Sequence, residues 1–387
     1  MSDLVLLMEP GSSGVEHAIA RVRRVLAGDG SVALVASGNH ETAVTAVGTD
    51  EPIGPSVILT TSGSSGTPRA VELPVEALRA SAELAETRLG GPGLWLTAIP
   101  VTGAGGLNTV VRSLLNGVDP VVWAGVAGAA HFDGGAVLPA LQETRRRARA
   151  AGLRAYTSLV PTQISRLVSH ASIGDLDAVE ALKELALFDA VLIGADALND
   201  DLRKTMRAYD IHFVATYGAT ETCGGCVYND QPLKGVELTF VGDDPGQIVV
   251  TGPMVARRYR DGDSSTLGNG RWMSNDLGRM RMGRLEIVGR TDDQIKVGGH
   301  IVALPLIARH LRTLAELKDV AVLSRTDAEW GHVPVAFVVG CPVEDQVLRQ
   351  FAAAATGRSS IPMDIVRLDT LPLLPNGKVD RQRLLEL

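Results

Sequence analysis

Three times between residues 155 and 218 a short apolar run stops in a small polar turn, as successive βα-like units would. Ala155–Val160 leads into Pro161-Thr162-Gln163, Asp189–Ile193 stops at Gly194, and Phe213–Thr216 stops at Tyr217-Gly218. Strands alternating with helices predict an α/β fold, a parallel sheet with helices on both faces. In such sheets ligands sit beyond the carboxyl ends of the strands. The segments to inspect for chemistry are therefore Pro161–Gln163, Gly194-Ala195-Asp196 and Tyr217–Thr222.

Upstream, helices are expected over Val15–Leu26, Leu107–Leu115 and Leu138–Ala151, and strands over Ser31–Ala36 and Leu94–Ile99. Val75, Leu78, Ala82, Ala85 and Leu89 fall at three- and four-residue spacings, one face of an amphipathic helix that Gly90-Gly91 ends. After Pro232 the strands become short, and Asp243-Asp244-Pro245-Gly246 reads as a turn between two of them. This suggests a small β subdomain to about Val288. From about Gln294 the pattern is that of a separate α+β unit, with helices near Leu304–Leu314 and Val343–Ala355 and strands at Val320–Leu323 and Val335–Val339. The expected division is a large N-terminal domain, 1–291, and a small C-terminal one, 292–387.

At 387 residues the chain suits two or three domains. A net charge of −7 argues against nucleic acid as the main partner. No apolar run is long enough to span a bilayer, so no membrane insertion is expected. The opening MSDLVLLMEP lacks a basic n-region, so no signal peptide is expected and the expected address is the cytoplasm. A homodimer is compatible with all of this. Cys223 and Cys226 form a Cys-x-x-Cys, but no second pair stands at zinc spacing and no thioredoxin-like unit opens there. They read as packing residues. The histidines are scattered, and no structural metal is expected. The run Arg145-Arg146-Arg147 reads as a solvated helix face, with a contact to coenzyme phosphates as the minority account.

One stretch is denser in chemistry than any other: TTSGSSGTPRAVEL, Thr60 to Leu73. Hydroxyls and backbone N–H groups at this density make an anion cradle. Gly63 and Gly66 permit positive φ and close approach of a ligand, and Arg69 adds a permanent positive charge. A small-residue hairpin turn is the alternative. The stretch is neither a Walker A loop nor a nucleophile elbow. It resembles the phosphate-binding loop of the adenylate-forming (ANL) superfamily of acyl-CoA ligases, adenylation domains and luciferases. Thr61, Ser62, Gly63, Ser64, Ser65, Gly66, Thr67 and Pro68 match position for position, and Arg69 replaces the usual lysine.

The order of the later motifs extends the resemblance across nearly the whole chain. Tyr217-Gly218-Ala219-Thr220-Glu221-Thr222 resembles the segment whose tyrosine stacks on adenine, whose threonine holds the α-phosphate and whose glutamate holds Mg²⁺. Gly194, Ala195 and Asp196 fall with the nucleotide-binding residues. Ser274-Asn275-Asp276-Leu277-Gly278 resembles the segment whose aspartate binds the ribose. Gly289–Lys296 resembles the hinge motif, which implies a ribose contact for Arg290 and a pivot at Asp292 for a mobile C-terminal domain. Gly298 and Gly299 resemble the pair near the thiol channel, and Lys378 sits in a Pro-x-Gly-Lys that implies a catalytic lysine. The resemblance implies ATP and coenzyme A as co-substrates and Mg²⁺ as cofactor.

Within the superfamily, TSLVPTQ (Thr157–Gln163) and TYGATETCGGCVYN (Thr216–Asn229) look like o-succinylbenzoate–CoA ligases of menaquinone synthesis. That implies a small carboxylic acid held by Ser158, Pro161, Thr162 and Arg112, the last meeting an aromatic carboxylate. An acyl-CoA ligase for another aromatic or fatty acid, an enzyme loading a carrier protein, and a non-catalytic nucleotide-binding module are the alternatives. Val101-Thr102-Gly103 departs from the family's gate residues, so no gate is assigned, and His300 stands where a glutamate is usual.

Overall fold

A computed structural model of the chain describes residues 4–37, 40–61, 68–128, 130–195, 198, 200–291, 293–297, 300–327, 330–340, 342–357, 361–372 and 379–387. Of the candidate site residues, Ser62, Gly63, Ser64, Ser65, Gly66, Thr67, Asp196, Asp292, Gly298, Gly299 and Lys378 lie outside the described residues. Two compact units are present: Met1–Leu238 with Val249–Met273, and Thr239–Ile248 with Ser274–Leu387.

The first unit holds two sheets. In the five-stranded one, Val5–Met8, Val32–Ala36 and Ser56–Thr61 run parallel. Ser56–Thr61 then pairs antiparallel with Arg69–Pro74, against which Arg258–Tyr259 forms the last strand. The hairpin thus holds both ends of the candidate phosphate loop, with Thr61 opposite Arg69.

The seven-stranded sheet is ordered Gln231–Pro232, Gly224–Tyr228, Phe213–Ala219, Ala190–Ile193, Arg154–Leu159, Gly93–Thr97, Val121–Val122. Its five strands from Phe213–Ala219 onward are parallel. Successive strand residues point to opposite faces. Every residue of Gly93–Thr97 and of Ala190–Ile193 is buried, so both faces of the sheet are covered, as a parallel sheet requires. The expected α/β architecture is observed.

The helix predicted over Val75–Leu89 forms with those bounds, burying Ala77, Leu78, Ser81, Ala82, Ala85 and Leu89. Gly90 ends it at φ 93°, a left-handed conformation that a glycine adopts without Cβ strain. The run at residues 145–147 is less solvated than expected. Arg145 pairs with Glu184 on the helix Leu176–Ala186 (2.7 Å), and Arg147 donates to the Asp119 carbonyl (2.8 Å). Only Arg146 keeps to the open face, 68 % exposed and paired with Glu143 three residues back.

The second unit contains the antiparallel pair formed by residues 276–281 with Arg284–Arg290, and a sheet ordered His300–Ala303, Gln294–Val297, Gly331–Val339, Asp319–Asp327, with Asp364–Leu368 parallel to Gly331–Val339. Period-two alternation sorts its core. Val320, Val322, Ala336 and Val338 pack with Ile307, Leu311 and Leu348 from the helices Leu304–Leu311 and Asp345–Thr356. Ala321, Leu323, Val335 and Phe337 face the other way and meet Leu371 and Leu384.

Candidate active site

The carboxyl ends of the parallel strands in the first unit are tied to one another. Gln163, in the first turn of the helix Pro161–Ser172, accepts from the Val160 N–H (3.0 Å) and donates to the Ala98 carbonyl (2.9 Å). One side chain thereby bridges two strand ends and fixes the turn that carries Ser158, Pro161 and Thr162. Ser158 is buried, while Pro161 and Thr162 are half-buried. The Gly194 N–H donates to the Leu159 carbonyl (3.3 Å), and the Thr216 hydroxyl donates to the Ile193 carbonyl (3.3 Å). A Cβ on Gly194 would lie 2.5 Å from that hydroxyl, so a larger residue here would turn the Thr216 side chain away from Ile193. Ala195 follows at φ 72°, in the left-handed region that a residue with a Cβ seldom enters.

The strand Phe213–Ala219 ends in the single turn Thr220–Thr222. Thr222, fully buried, closes the turn: its hydroxyl accepts from the Ala219 N–H (2.9 Å) and donates to the Gly224 carbonyl (2.7 Å). Asn108 (2.7 Å) and Ser81 (3.1 Å) both donate to the Cys223 carbonyl. Gly218 lies opposite Gly225, so close that a Cβ on Gly218 would sit 2.0 Å from the Gly224 carbonyl oxygen. Tyr217, Thr220 and Glu221 thus project from a turn pinned at four points.

Glu221 is buried and its carboxylate accepts from the Tyr259 hydroxyl at 2.8 Å. Burial first, and the Glu221 carboxylate second, push the Tyr259 phenol above its ordinary value, so it remains a donor. Trp272 donates its indole N–H to the same hydroxyl oxygen (3.3 Å). The Arg69 guanidinium lies over the Tyr259 ring, 3.5 Å from the centroid. It also forms a bidentate pair with Asp261 (2.7 and 3.1 Å) and reaches Asp263 (2.9 Å). Its contact holds the Asp261 carboxyl below the usual carboxylate range. Behind Tyr259, buried Glu72 gathers Arg258 (3.0 Å), Arg260 (3.3 Å) and Arg257 (3.6 Å), fastening Arg258–Tyr259 to the hairpin. Arg69 was expected to face phosphate; among the described residues its partners are two aspartates and a ring.

The donor set at Glu221, one oriented carboxylate with the Thr220 hydroxyl beside it in sequence, fits Mg²⁺ in its usual role. That ion dehydrates reluctantly and is held by one or two carboxylates together with substrate phosphates, not by an all-protein cage.

Arg112 is 2 % exposed at the last turn of the helix Ala104–Leu115. It donates to the Tyr228 hydroxyl (3.3 Å) and its guanidinium lies 4.8 Å from the Trp95 ring centroid. The Arg112 Nε has no hydrogen-bond partner among the described residues, nor have the Trp95 indole N–H and the Asn108 Oδ1. Cys223 and Cys226 are buried. Burial pushes the Cys226 thiol up to about 12 and raises Cys223 as well, so neither offers a thiolate near neutral pH.

In the second unit the antiparallel register sets Asp276 opposite Arg290, and the Arg290 guanidinium donates to the Asp276 carboxylate at 3.3 Å. The Ser274 hydroxyl accepts from the Asp276 N–H (3.0 Å). The two candidate ribose contacts are therefore neighbours. Asp293 is 4 % exposed and is held by both terminal nitrogens of Arg381.

Residues 16–260 match the AMP-binding enzyme family, and residues 310–378 match the AMP-binding enzyme C-terminal domain. The chain belongs to the AMP-binding enzymes. A "Probable 2-succinylbenzoate–CoA ligase" of Mycobacterium tuberculosis (strain CDC 1551 / Oshkosh) is 34 % identical over 97 % of this chain and 96 % of its own length. An indoleacetate–CoA ligase of Aromatoleum aromaticum is 28 % identical, over 88 % of this chain and 69 % of that protein. Among solved structures, this AMP-binding enzyme shares its fold with the o-succinylbenzoate CoA synthetase of Bacillus subtilis in complex with the acyl-adenylate intermediate. The TM-score is 0.68 at 21 % identity, over 98 % of this chain and 82 % of that one. The amide bond synthetase McbA of Marinactinospora thermotolerans gives 0.70 at 19 % identity, over 99 % and 89 %. Among the described residues, no helix of this AMP-binding enzyme is long and apolar enough to cross a membrane.

Sequence reasoning named Tyr217, Thr220 and Glu221, missed Tyr259, Trp272 and Asn108, and gave Gln163, inside a named segment, no role of its own. Tyr259 and Glu221 are 38 positions apart, and no spacing rule links them. Gln163 carried a legible signal, since it follows a strand end and a proline at a helix start.

Proposed function

We propose that this AMP-binding enzyme is an ATP-dependent 2-succinylbenzoate–CoA ligase acting in menaquinone synthesis. The observation that carries the substrate is the 34 % identity, over nearly the full length of both chains, to the mycobacterial protein of that name. Arg112 supports it: a buried permanent cation with an unpartnered Nε has capacity for a carboxylate.

The acid's carboxylate oxygen attacks the α-phosphorus of ATP; the bond to the β-phosphate bridging oxygen breaks and pyrophosphate leaves. The coenzyme A thiol, giving up its proton, then attacks the acyl carbon, and the C–O bond to AMP breaks. Adenylation supplies the leaving group, so no enzyme nucleophile is needed, in keeping with two buried thiols of raised pKa. Thr61, residues 62–67 and Thr220 cradle phosphate oxygens, Tyr217 stacks on adenine beside Gly194, Ala195, Asp196 and Gly218, and Asp276 with Arg290 takes the ribose. Ser158, Pro161, Thr162 and Arg112 receive the acid. Lys378 stabilises the charge that develops as pyrophosphate departs. Mg²⁺, held by Glu221 with the phosphates, neutralises phosphate charge when bound.

Domain 292–387 turns about Asp292, bringing first Lys378 and then Gly298 and Gly299 to the adenylate. The enzyme works in the cytoplasm. The test is pyrophosphate release with o-succinylbenzoate, indoleacetate and a long-chain fatty acid, each with and without coenzyme A. o-Succinylbenzoate should give the highest kcat/KM, with turnover needing coenzyme A. A preference for either other acid, or none, refutes the substrate.

A further inference from the structure

Tyr259 has one hydroxyl proton, and its oxygen stands between Trp272 and Glu221. An indole N–H can only donate, so Trp272 occupies a lone pair on the hydroxyl oxygen. An ionised carboxylate can only accept, so the proton goes to Glu221. A hydrogen bond to one carboxylate oxygen fixes the plane of the group. The group that stacks on the Tyr259 ring is itself paired. The register partner of Tyr259 is Val71, with Arg258 opposite Glu72, so Arg69 stands diagonally across the strand pair on the face of the ring. Asp261, two residues after Tyr259 in the turn that follows the strand, takes that guanidinium bidentately, and Asp263 accepts from one of the same two nitrogens.

We propose that Tyr259 is a positioning residue for adenylate formation: it orients the Glu221 carboxylate toward the cation, and Arg69, clamped by Asp261 and Asp263, holds the ring in place. The inference rests on the reading of Glu221 as the Mg²⁺ ligand. It also accounts for arginine at a position where lysine is usual in the superfamily. A planar guanidinium stacks on a ring and chelates a carboxylate at once, while an ammonium is a point charge that cannot do both. With two carboxylates on it, Arg69 is held against the Tyr259 ring.

The experiment measures ATP affinity by calorimetry in excess Mg²⁺ and in EDTA, for the parent, Tyr259→Phe, Arg69→Lys and Trp272→Phe. Phenylalanine keeps the ring and removes the hydroxyl, both the donor to Glu221 and the acceptor for Trp272, and Trp272→Phe reads the second loss alone. Mg²⁺ should tighten ATP binding to the parent, and that gain should shrink by about tenfold or more in Tyr259→Phe, the scale of one hydrogen bond to a charged group. Affinity in EDTA should not change. Arg69→Lys should lose part of the gain, and does so even if Tyr259→Phe fails to fold. Trp272→Phe, which frees a lone pair but leaves the proton, should lose less than Tyr259→Phe. A full Mg²⁺ gain in Tyr259→Phe, or an equal loss in Trp272→Phe, overturns the proposal. A parent with no Mg²⁺ gain overturns the Glu221 reading itself and the proposal with it, whatever acid the enzyme uses.

Discussion

Gly218→Ala tests how the adenine-side turn is built. A Cβ at this position would lie 2.0 Å from the Gly224 carbonyl oxygen and 2.7 Å from the Gly225 Cα, both backbone atoms that cannot swing aside. Ordinary contact begins at 3.4 Å. The strand Gly224–Tyr228 must therefore part from Phe213–Ala219 by about 1 Å, and overpacking of this kind costs roughly 1–3 kcal/mol. The same shift strains the Ala219–Thr222–Gly224 hydrogen bonds, adding about 0.5–1.5 kcal/mol. The sum expected is about 1.5–4.5 kcal/mol of stability. Tyr217 and Glu221 flank the shifted strand, and misplacement on the order of 1 Å lowers a reaction rate by about a hundredfold. Urea unfolding reads the first effect and ATP–pyrophosphate exchange the second. Gly289→Ala is the control, because nothing lies within 4 Å of a Cβ there. If Gly218→Ala unfolds with the control and exchanges at the parent rate, the close strand approach does not position the turn.

Four further outcomes are expected. Arg112→Met, which keeps bulk and removes charge, should raise the KM for o-succinylbenzoate by about tenfold or more and leave the KM for ATP alone; an unchanged acid KM removes Arg112 from the site. Asp276→Ala should weaken ATP and a non-hydrolysable acyl-AMP mimic together, since the ribose is common to both, and equal calorimetric affinity in variant and parent would sink that assignment. Lys378→Ala should slow acyl-AMP formation by at least about a hundredfold while sparing thioester formation from pre-made acyl-AMP. Asp292→Pro, by fixing φ at the pivot, should do the reverse. Single-turnover measurement of each half-reaction decides, and equal loss of both halves in both variants would refute the alternating domain.

The parts of this fold that were legible are those set by local period. The helix Val75–Leu89 was readable because its buried positions recur at helical spacing and its ends carry proline and glycine. The strand ends near Leu159 and at Ile193 were readable because the apolar runs stop there, whereas the third strand, expected to stop at Thr216, runs on through Tyr217 and Gly218 to Ala219 because it pairs there with Gly224–Tyr228. Side-chain partnerships across the chain were not. Nothing in the loop that carries Arg69 points to its aspartate partners, which are 192 and 194 positions away. Arg145 looked solvated from its run of like charges, and Glu184 meets it from another helix. Gly218 was named as a site residue, but the reason it must be glycine, the Gly224 carbonyl, exists only once the strands pair.

The most direct test mixes enzyme, ATP, Mg²⁺ and o-succinylbenzoate without coenzyme A, quenches within one turnover, and identifies the products by mass. The expected result is o-succinylbenzoyl-AMP and pyrophosphate in equal amounts, the acyl-AMP being consumed to thioester and AMP once coenzyme A is added. Thioester formed without acyl-AMP or pyrophosphate, or no adenylate from this acid, would contradict the proposed ligase.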